Sequence, residues 1–232
     1  MDYALIWAIL ISVAVFAYVA LDGFDLGIAL LFPWFKKEED RDVMMNTVAP
    51  VWDGNETWLV LGGGGLLAVF PLAYSVLMPA LYMPVIAMLL GLIFRGVAFE
   101  YRFKTKRAKG IWDLSFIVGS LIAALSQGIM LGAMLQGIQV TDRAYSGGWF
   151  DWLTPFSFFC GVAVVIGYMM LGSTWLVMKT KGDLQRQSYR AGWYSALLLV
   201  ACIAFVSLYL PYVDPFIAER WFTYPASVGL WV

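Results

Sequence analysis

Six long apolar stretches set the terms for this chain. A helix needs about 20 mostly apolar residues to cross roughly 30 Å of hydrocarbon. Stretches near 5–31, 50–72, 76–99, 114–138, 154–178 and 192–211 meet that need. Between them lie short segments with the turn chemistry of Pro, Gly and charge: Pro33 to Asp42, Pro71 to Ser75, Phe103 to Gly110, Thr141 to Asp151, Lys179 to Arg190, and Pro211 onward. The expected fold is all-α, a polytopic transmembrane helical bundle of about six spans. Trp221 to Val232 is uncharged but too short to span, and reads as the start of a seventh helix. Composition agrees: 62% of the 232 residues are hydrophobic and 13% charged, with mean hydropathy +0.77. That excludes a disordered chain, a basic nucleic-acid module and an ordinary soluble domain.

Loop charge orients the spans. Lys36, Lys37 and Arg41 fall in the first loop. Arg102, Lys104, Lys106, Arg107 and Lys109 fall in the third, and Lys179, Lys181, Arg186 and Arg190 in the fifth. The even loops carry only Arg143 and Arg220. The odd loops are therefore expected in the cytoplasm and the N-terminus outside. Met1-Asp2-Tyr3 lacks a basic leader segment, so the first span reads as a retained helix.

Charges inside the spans carry the functional signal. Each costs roughly 2.5–3.5 kcal/mol near mid-membrane on insertion scales. Asp22 and Asp25 lie in the inner third of the first span, and Asp53 and Glu56 in the first turns of the second. Arg95 and Glu100 lie near the inner end of the third, and Asp113 opens the fourth. The alternating helix directions bring all of them to the cytoplasmic side. Asp22 and Asp25 are i,i+3, as are Asp53 and Glu56, so each pair shares a helix face. Arg95 and Glu100 are about 140° apart around the helix. Arg95 is therefore expected to pair with an acid on another helix. A carboxyl group held there can pick up and hand on a proton. A blander reading stands beside this one: Asp53 and Glu56 as helix caps, Arg95 and Glu100 as interfacial snorkelers.

Other features are weaker. Gly62 to Gly65 permits close approach of a neighbouring backbone or ring, and also suits a plain tight helix crossing. Ser126 and Gln127 lie mid-span, where they can hydrogen-bond another helix. The eleven Met and eleven Trp read mainly as core filler and interface belt. Cys160 and Cys202 fall inside spans and read as buried free thiols. The chain has no histidine, the commonest general base and haem or metal ligand. No phosphate loop, metal-ligand spacing or nucleophile–base pair is present, so no catalytic or metal-binding residue is assigned.

Three motifs carry a family resemblance. Leu21-Asp22-Gly23-Phe24-Asp25-Leu26-Gly27 resembles the first-helix signature of subunit II of the cytochrome bd-type quinol oxidases. Asn46-Thr47-Val48-Ala49-Pro50-Val51-Trp52-Asp53-Gly54-Asn55-Glu56-Thr57-Trp58-Leu59 resembles its second-helix signature. Phe94-Arg95-Gly96-Val97-Ala98-Phe99-Glu100-Tyr101-Arg102 resembles the end of its third. The resemblance is strong over about 1–140 and rests mainly on hydropathy beyond.

It implies a subunit of a respiratory terminal oxidase that oxidises quinol and reduces dioxygen to water. It implies that this chain binds no haem itself. Two b-type haems and one d-type or related haem belong to subunit I, the partner in a hetero-oligomer, with a small single-span subunit in some complexes. Subunit II of some relatives holds a quinone or lipid, though no site for one is legible here; nucleic acid is not a partner. The implied location is the bacterial or archaeal cytoplasmic membrane. The family fold implies a first four-helix bundle over 1–140 and the start of a second over 141–232. The family's subunit II usually runs longer, so the chain is expected to be truncated or to have a shortened second bundle.

By the same resemblance, Asp25 and Asp53 match acids on or near a cytoplasmic proton route. Asp22, Glu56, Glu100 and Arg95 match motif positions, Arg95 as a charge partner. Trp52, Asn55, Trp58, Gly62 and Gly63 serve as motif or packing positions. Two other readings remain open at this level. One is an independent proton-coupled transporter, which needs a broken helix near Gly62 to Gly65. The other is a purely structural assembly subunit.

Overall fold

The structure is a computed structural model and describes residues 2–105, 107–213 and 215–223. Asp2 starts the first helix: its carboxylate accepts from the backbone N–H of Ala4 (3.0 Å) and Leu5 (3.2 Å). Helix α1 (Tyr3–Leu31) then runs for 29 residues and ends in a 3-10 turn, Phe32–Trp34. The short helix α2 (Glu38–Val48) follows, then α3 (Trp52–Val69), α4 (Pro71–Ala80), α5 (Tyr82–Arg102) and α6 (Lys109–Leu135). After a two-residue β-hairpin, β1 (Val140–Thr141) with β2 (Ala144–Tyr145), come α7 (Pro155–Lys179), α8 (Gly182–Val213) and α9 (Pro215–Phe222).

Helices α1, α5, α6, α7 and α8 are each long and apolar enough to cross a membrane. Helices α3 and α4 make a sixth candidate span as a pair, bent by 120°. The chain is thus an all-α polytopic bundle, as its hydropathy implies.

Four expected boundaries need correction. Pro33 to Asp42 is not all loop, because α2 begins at Glu38. Glu38, Glu39 and Asp40 sit in its positive first turn, while Met44, Met45 and Val48 bury one face. Pro71 to Ser75 is helical too. Phe70 leaves helical geometry (φ −123°, ψ 59°) just before Pro71, whose ring disfavours the α region for the preceding residue. Proline is well suited to a first helical position, so α4 begins there at once. The charged Lys179 to Arg190 segment is mostly the first turns of α8, entered through Gly182 at φ +70°. Pro211 lies inside the last turn of α8, not beyond it. The seventh-helix start expected at Trp221 to Val232 lies from residue 224 onward outside the described residues.

Helix α1 packs against α3, α6 and α7; α6 also contacts α5 and α7, and α8 rests chiefly on α7. Close crossings depend on glycine. A Cβ on Gly27 would overlap the Tyr168 carbonyl of α7, and one on Gly172 would lie 2.5 Å from the Gly27 carbonyl carbon. Gly91 and Gly119 face each other likewise across α5 and α6, at 2.5 Å from each added Cβ to the opposite carbonyl oxygen. Cys160 and Cys202 are buried free thiols, as expected.

The core has a basic end and an opposite end. At the basic end Phe32, Phe35, Met44, Met45, Phe116, Leu176 and Leu184 pack together, which fixes α2 and the α7–α8 turn at the same level. At the opposite end Ala80, Leu81 and Ala133 pack beside the hairpin residue Tyr145. Asp142 and Arg143 both have positive φ, 51° and 64°, as a two-residue hairpin turn of this hand requires. Partial burial, then the nearby Asp151 carboxylate, hold the Tyr145 phenol above its ordinary range.

Candidate functional site

The basic third of the bundle holds a buried polar cluster on three helices. Arg95 of α5 is fully buried. Its Nη1 donates to Oδ1 of Asp22 on α1 at 2.6 Å, and its Nη2 to Oε1 of Glu56 on α3 at 2.5 Å. The expectation that Arg95 pairs across helices holds, with two acids rather than one. Asp22 is also fully buried, whereas the Glu56 side chain keeps 27% of its exposure. A guanidinium in this position offers two forked donors to two carboxylates, which is what makes its burial tolerable.

Asp25, one turn on from Asp22, forms no ion pair among the described residues. Its Oδ2 accepts from Nδ2 of Asn55 at 2.8 Å, and the same amide reaches the Leu21 carbonyl at 3.3 Å. Among the described residues, Oδ1 of Asp25, Oδ2 of Asp22 and Nε of Arg95 have no hydrogen-bond partner. Three acids thus meet one arginine that pairs with two of them. Asp25 is the carboxyl whose proton can come and go without breaking an ion pair.

The other sequence candidates fall elsewhere. Asp53 is exposed in the first turn of α3. Glu100 is exposed and pairs at 3.0 Å with Lys104, in the turn that follows its helix. Trp52 stacks on Phe99 (centroids 4.9 Å, planes 8° apart), closing the site toward the basic end. Trp58 is half-buried. Gly62 and Gly65 face Val15 and Ile11 of α1, while a Cβ on Gly63 or Gly64 would meet nothing within 4 Å among the described residues. Helix α3 runs unbroken through all four; its break is at Phe70.

Two further arrangements lie beside the cluster, the first expected in outline and the second not. Gln127 of α6 bridges two tyrosines: its Nε2 donates to the Tyr18 hydroxyl (2.9 Å), and the Tyr168 hydroxyl donates to its Oε1 (2.5 Å). Tyr18 also interacts electrostatically with Asp22, one turn along α1. Mid-span Gln127 thus hydrogen-bonds neighbouring helices as expected, with its partners on α1 and α7. The second is an ion network at the basic end. Fully buried Arg102 holds Asp113 (2.5 Å) and Asp42, and Arg41 reaches Asp113 (3.0 Å) and the carbonyls of Phe35 and Phe32. Lys109 joins Glu38 (2.6 Å) to Asp42. Counting these residues as loop charge concealed their pairing.

The commonest haem ligand is missing from this chain. The chain has no histidine, and Cys160 is engaged in the α6–α7 crossing against Gly128 and Gly132. Among the described residues no group of three or more Cys, Asp or Glu is placed to hold a metal ion.

The family model for cytochrome bd terminal oxidase subunit II matches residues 3–232. The chain belongs to the cytochrome bd subunit II family. Subunit 2 of the cytochrome bd-I ubiquinol oxidase of Escherichia coli (strain K12) is 32% identical over 223 residues, covering 92% of this chain and 59% of that protein. A probable cytochrome oxidase subunit 2 of Haemophilus influenzae is 35% identical over 209 residues, 87% of this chain and 55% of that protein. Subunit 2 of the cytochrome bd ubiquinol oxidase of Bacillus subtilis (strain 168) is 32% identical over 228 residues, 96% of this chain and 68% of that protein. The chain thus spans between about half and two thirds of the length of these cytochrome bd relatives. With its apolar helices, this makes it a multi-pass membrane protein of the cytochrome bd family.

Proposed function

We propose that this chain is the haem-free subunit II of a quinol oxidase in the bacterial cytoplasmic membrane. It supports a haem-bearing subunit I and contributes to proton uptake from the cytoplasm. Family membership supports the oxidase assignment. The proton role rests on one observation: Asp25 is buried, held by an amide rather than a cation, and sits beside an arginine already committed to Asp22 and Glu56.

Reducing dioxygen to water consumes protons as well as electrons, so a haem site inside a membrane needs a polar route to it. In this reading Asn55 orients the Asp25 carboxyl. Arg95 keeps Asp22 and Glu56 in place and fixes the local charge. Half-exposed Glu56 and exposed Asp53 stand nearer water at the entry. Glu100 lies on the surface with Lys104 and contributes charge at the rim. Quinol and dioxygen are handled by the assembled complex, with the haems in the partner.

The test is Asp25→Asn in the assembled oxidase, measured as oxygen consumption together with the haem spectrum. The expected result is a fall in turnover of about tenfold or more with haem content intact. Unchanged turnover overturns the proton role. Loss of haem makes the role of Asp25 structural, in line with a scaffold subunit.

A further inference from the structure

Arg186 and Arg190 lie four residues apart on the first turns of α8, so both project from one face. They line a cavity of about 330 Å³ with Tyr189, Gln185 and Val177 of α7. Gln185 is already engaged: its Nε2 donates to the Val177 carbonyl at 2.8 Å, tying α8 to α7 beneath the cavity. Among the described residues neither arginine forms an ion pair, although five other cations here do. Nearby Lys179 and Lys181 add positive charge, and Asp183 is the local acid. Lys179 lies over the Trp175 ring (4.8 Å). The cavity therefore favours an anion.

The stripe above the cavity says which kind. Continuing up α8 from Arg186 and Arg190 at helical spacing come Trp193, Tyr194, Leu197 and Leu198, all exposed. Aromatic residues followed by leucines mark the passage from headgroup level into hydrocarbon. Two unpaired guanidinium groups thus stand at the foot of an apolar track. That matches an amphiphile with an anionic head and acyl tails, not a small anion from solution.

We propose that the α7–α8 turn binds the phosphate headgroup of an anionic phospholipid between Arg186 and Arg190, with one acyl chain along Trp193 and Leu197. Basic pockets between the cytoplasmic ends of membrane helices suit this chemistry. Forked arginine donors suit phosphate oxygens better than ammonium groups do.

The test uses the full chain in neutral detergent micelles, titrated with phosphatidylglycerol and read by native mass spectrometry. One phosphatidylglycerol should bind, and phosphatidylcholine of the same chain length should not compete. Arg186→Gln with Arg190→Gln should weaken binding about thirtyfold. Lys36→Gln with Lys37→Gln, which removes two exposed charges at the same end, should leave it unchanged. Because both arginines are exposed, the double variant should melt like the unaltered chain, so lost binding is not lost folding. Equal binding by the Arg186/Arg190 variant overturns the proposal, and so does an equal loss in the lysine variant. Inorganic phosphate displacing the lipid at equal concentration overturns it in favour of a free-phosphate site. A protein chain that co-purifies and is released by the double variant overturns it in favour of a docking contact.

Discussion

Arg95 is held at the crossing of three helices by two carboxylates, and neither the arginine nor Asp22 meets solvent. Such a set is stable only while complete. Arg95→Met leaves Asp22 buried without its cation, and the expected loss is about 3–5 kcal/mol. Adding Asp22→Leu and Glu56→Gln removes the stranded charges and should recover most of that loss. Both outcomes are read from thermal unfolding of the chain in detergent. A triple variant no more stable than the single one would show that Arg95 stabilises by shape rather than charge. The sequence made the cross-helix pairing legible, because a charge at mid-span demands a partner and Glu100 lies on a different face. It did not separate Glu56 from Asp53. Three residues along a helix is about 60° of rotation, enough to carry one acid into the bundle and leave the other in water. Which of the two turns inward depends on how α3 is rotated against α1. That rotation is set by Asn55, Gly62 and Gly65 facing α1, contacts that the spacing alone does not encode.

At the scale of elements, glycine divides into two kinds. Gly27 and Gly172 let α1 and α7 touch backbone to backbone, whereas Gly63 and Gly64 in the conspicuous glycine run face open space. Gly27→Ala must therefore push α7 away, at a cost of about 1–3 kcal/mol or more. Gly63→Ala should be neutral or stabilising by up to about 1 kcal/mol, because alanine is the better helix former. Thermal unfolding of the two variants side by side checks this; equal destabilisation would mean that the α1–α7 contact is looser than described. The run drew attention because four glycines in a row are conspicuous, yet only Gly62 and Gly65 pack, one helical turn apart. The isolated Gly27 gave no such signal. Helix α2 was missed for a related reason. Its polar face suggested a loop, and its role becomes visible only once Arg41, Asp42 and Glu38 are seen joined to Arg102, Asp113 and Lys109 on neighbouring helices. Apolar length marks spans well because the bilayer imposes it; short helices fixed by ion pairs carry no comparable mark.

For the whole molecule, the consequential property is its polarity from end to end. Helix α2, the Arg102 network, the α7–α8 turn and the buried cluster all lie toward one end, while the hairpin and the α3–α4 bend lie toward the other. From the placement of lysine and arginine we propose that the first of these ends faces the cytoplasm. This is also the side from which Asp25 would take protons, so orientation and function stand or fall together. Two introduced cysteines decide it, since the native Cys160 and Cys202 are 4% and 9% exposed and give little background. Trp149 stands 73% exposed beyond the hairpin, and Lys36 is exposed in the turn before α2. With a membrane-impermeant maleimide, Trp149→Cys should label in intact cells and Lys36→Cys only after permeabilisation. The reverse pattern would turn the basic end outward, leave the Asp25 cluster facing the wrong compartment, and remove the physical basis for cytoplasmic proton uptake through this chain.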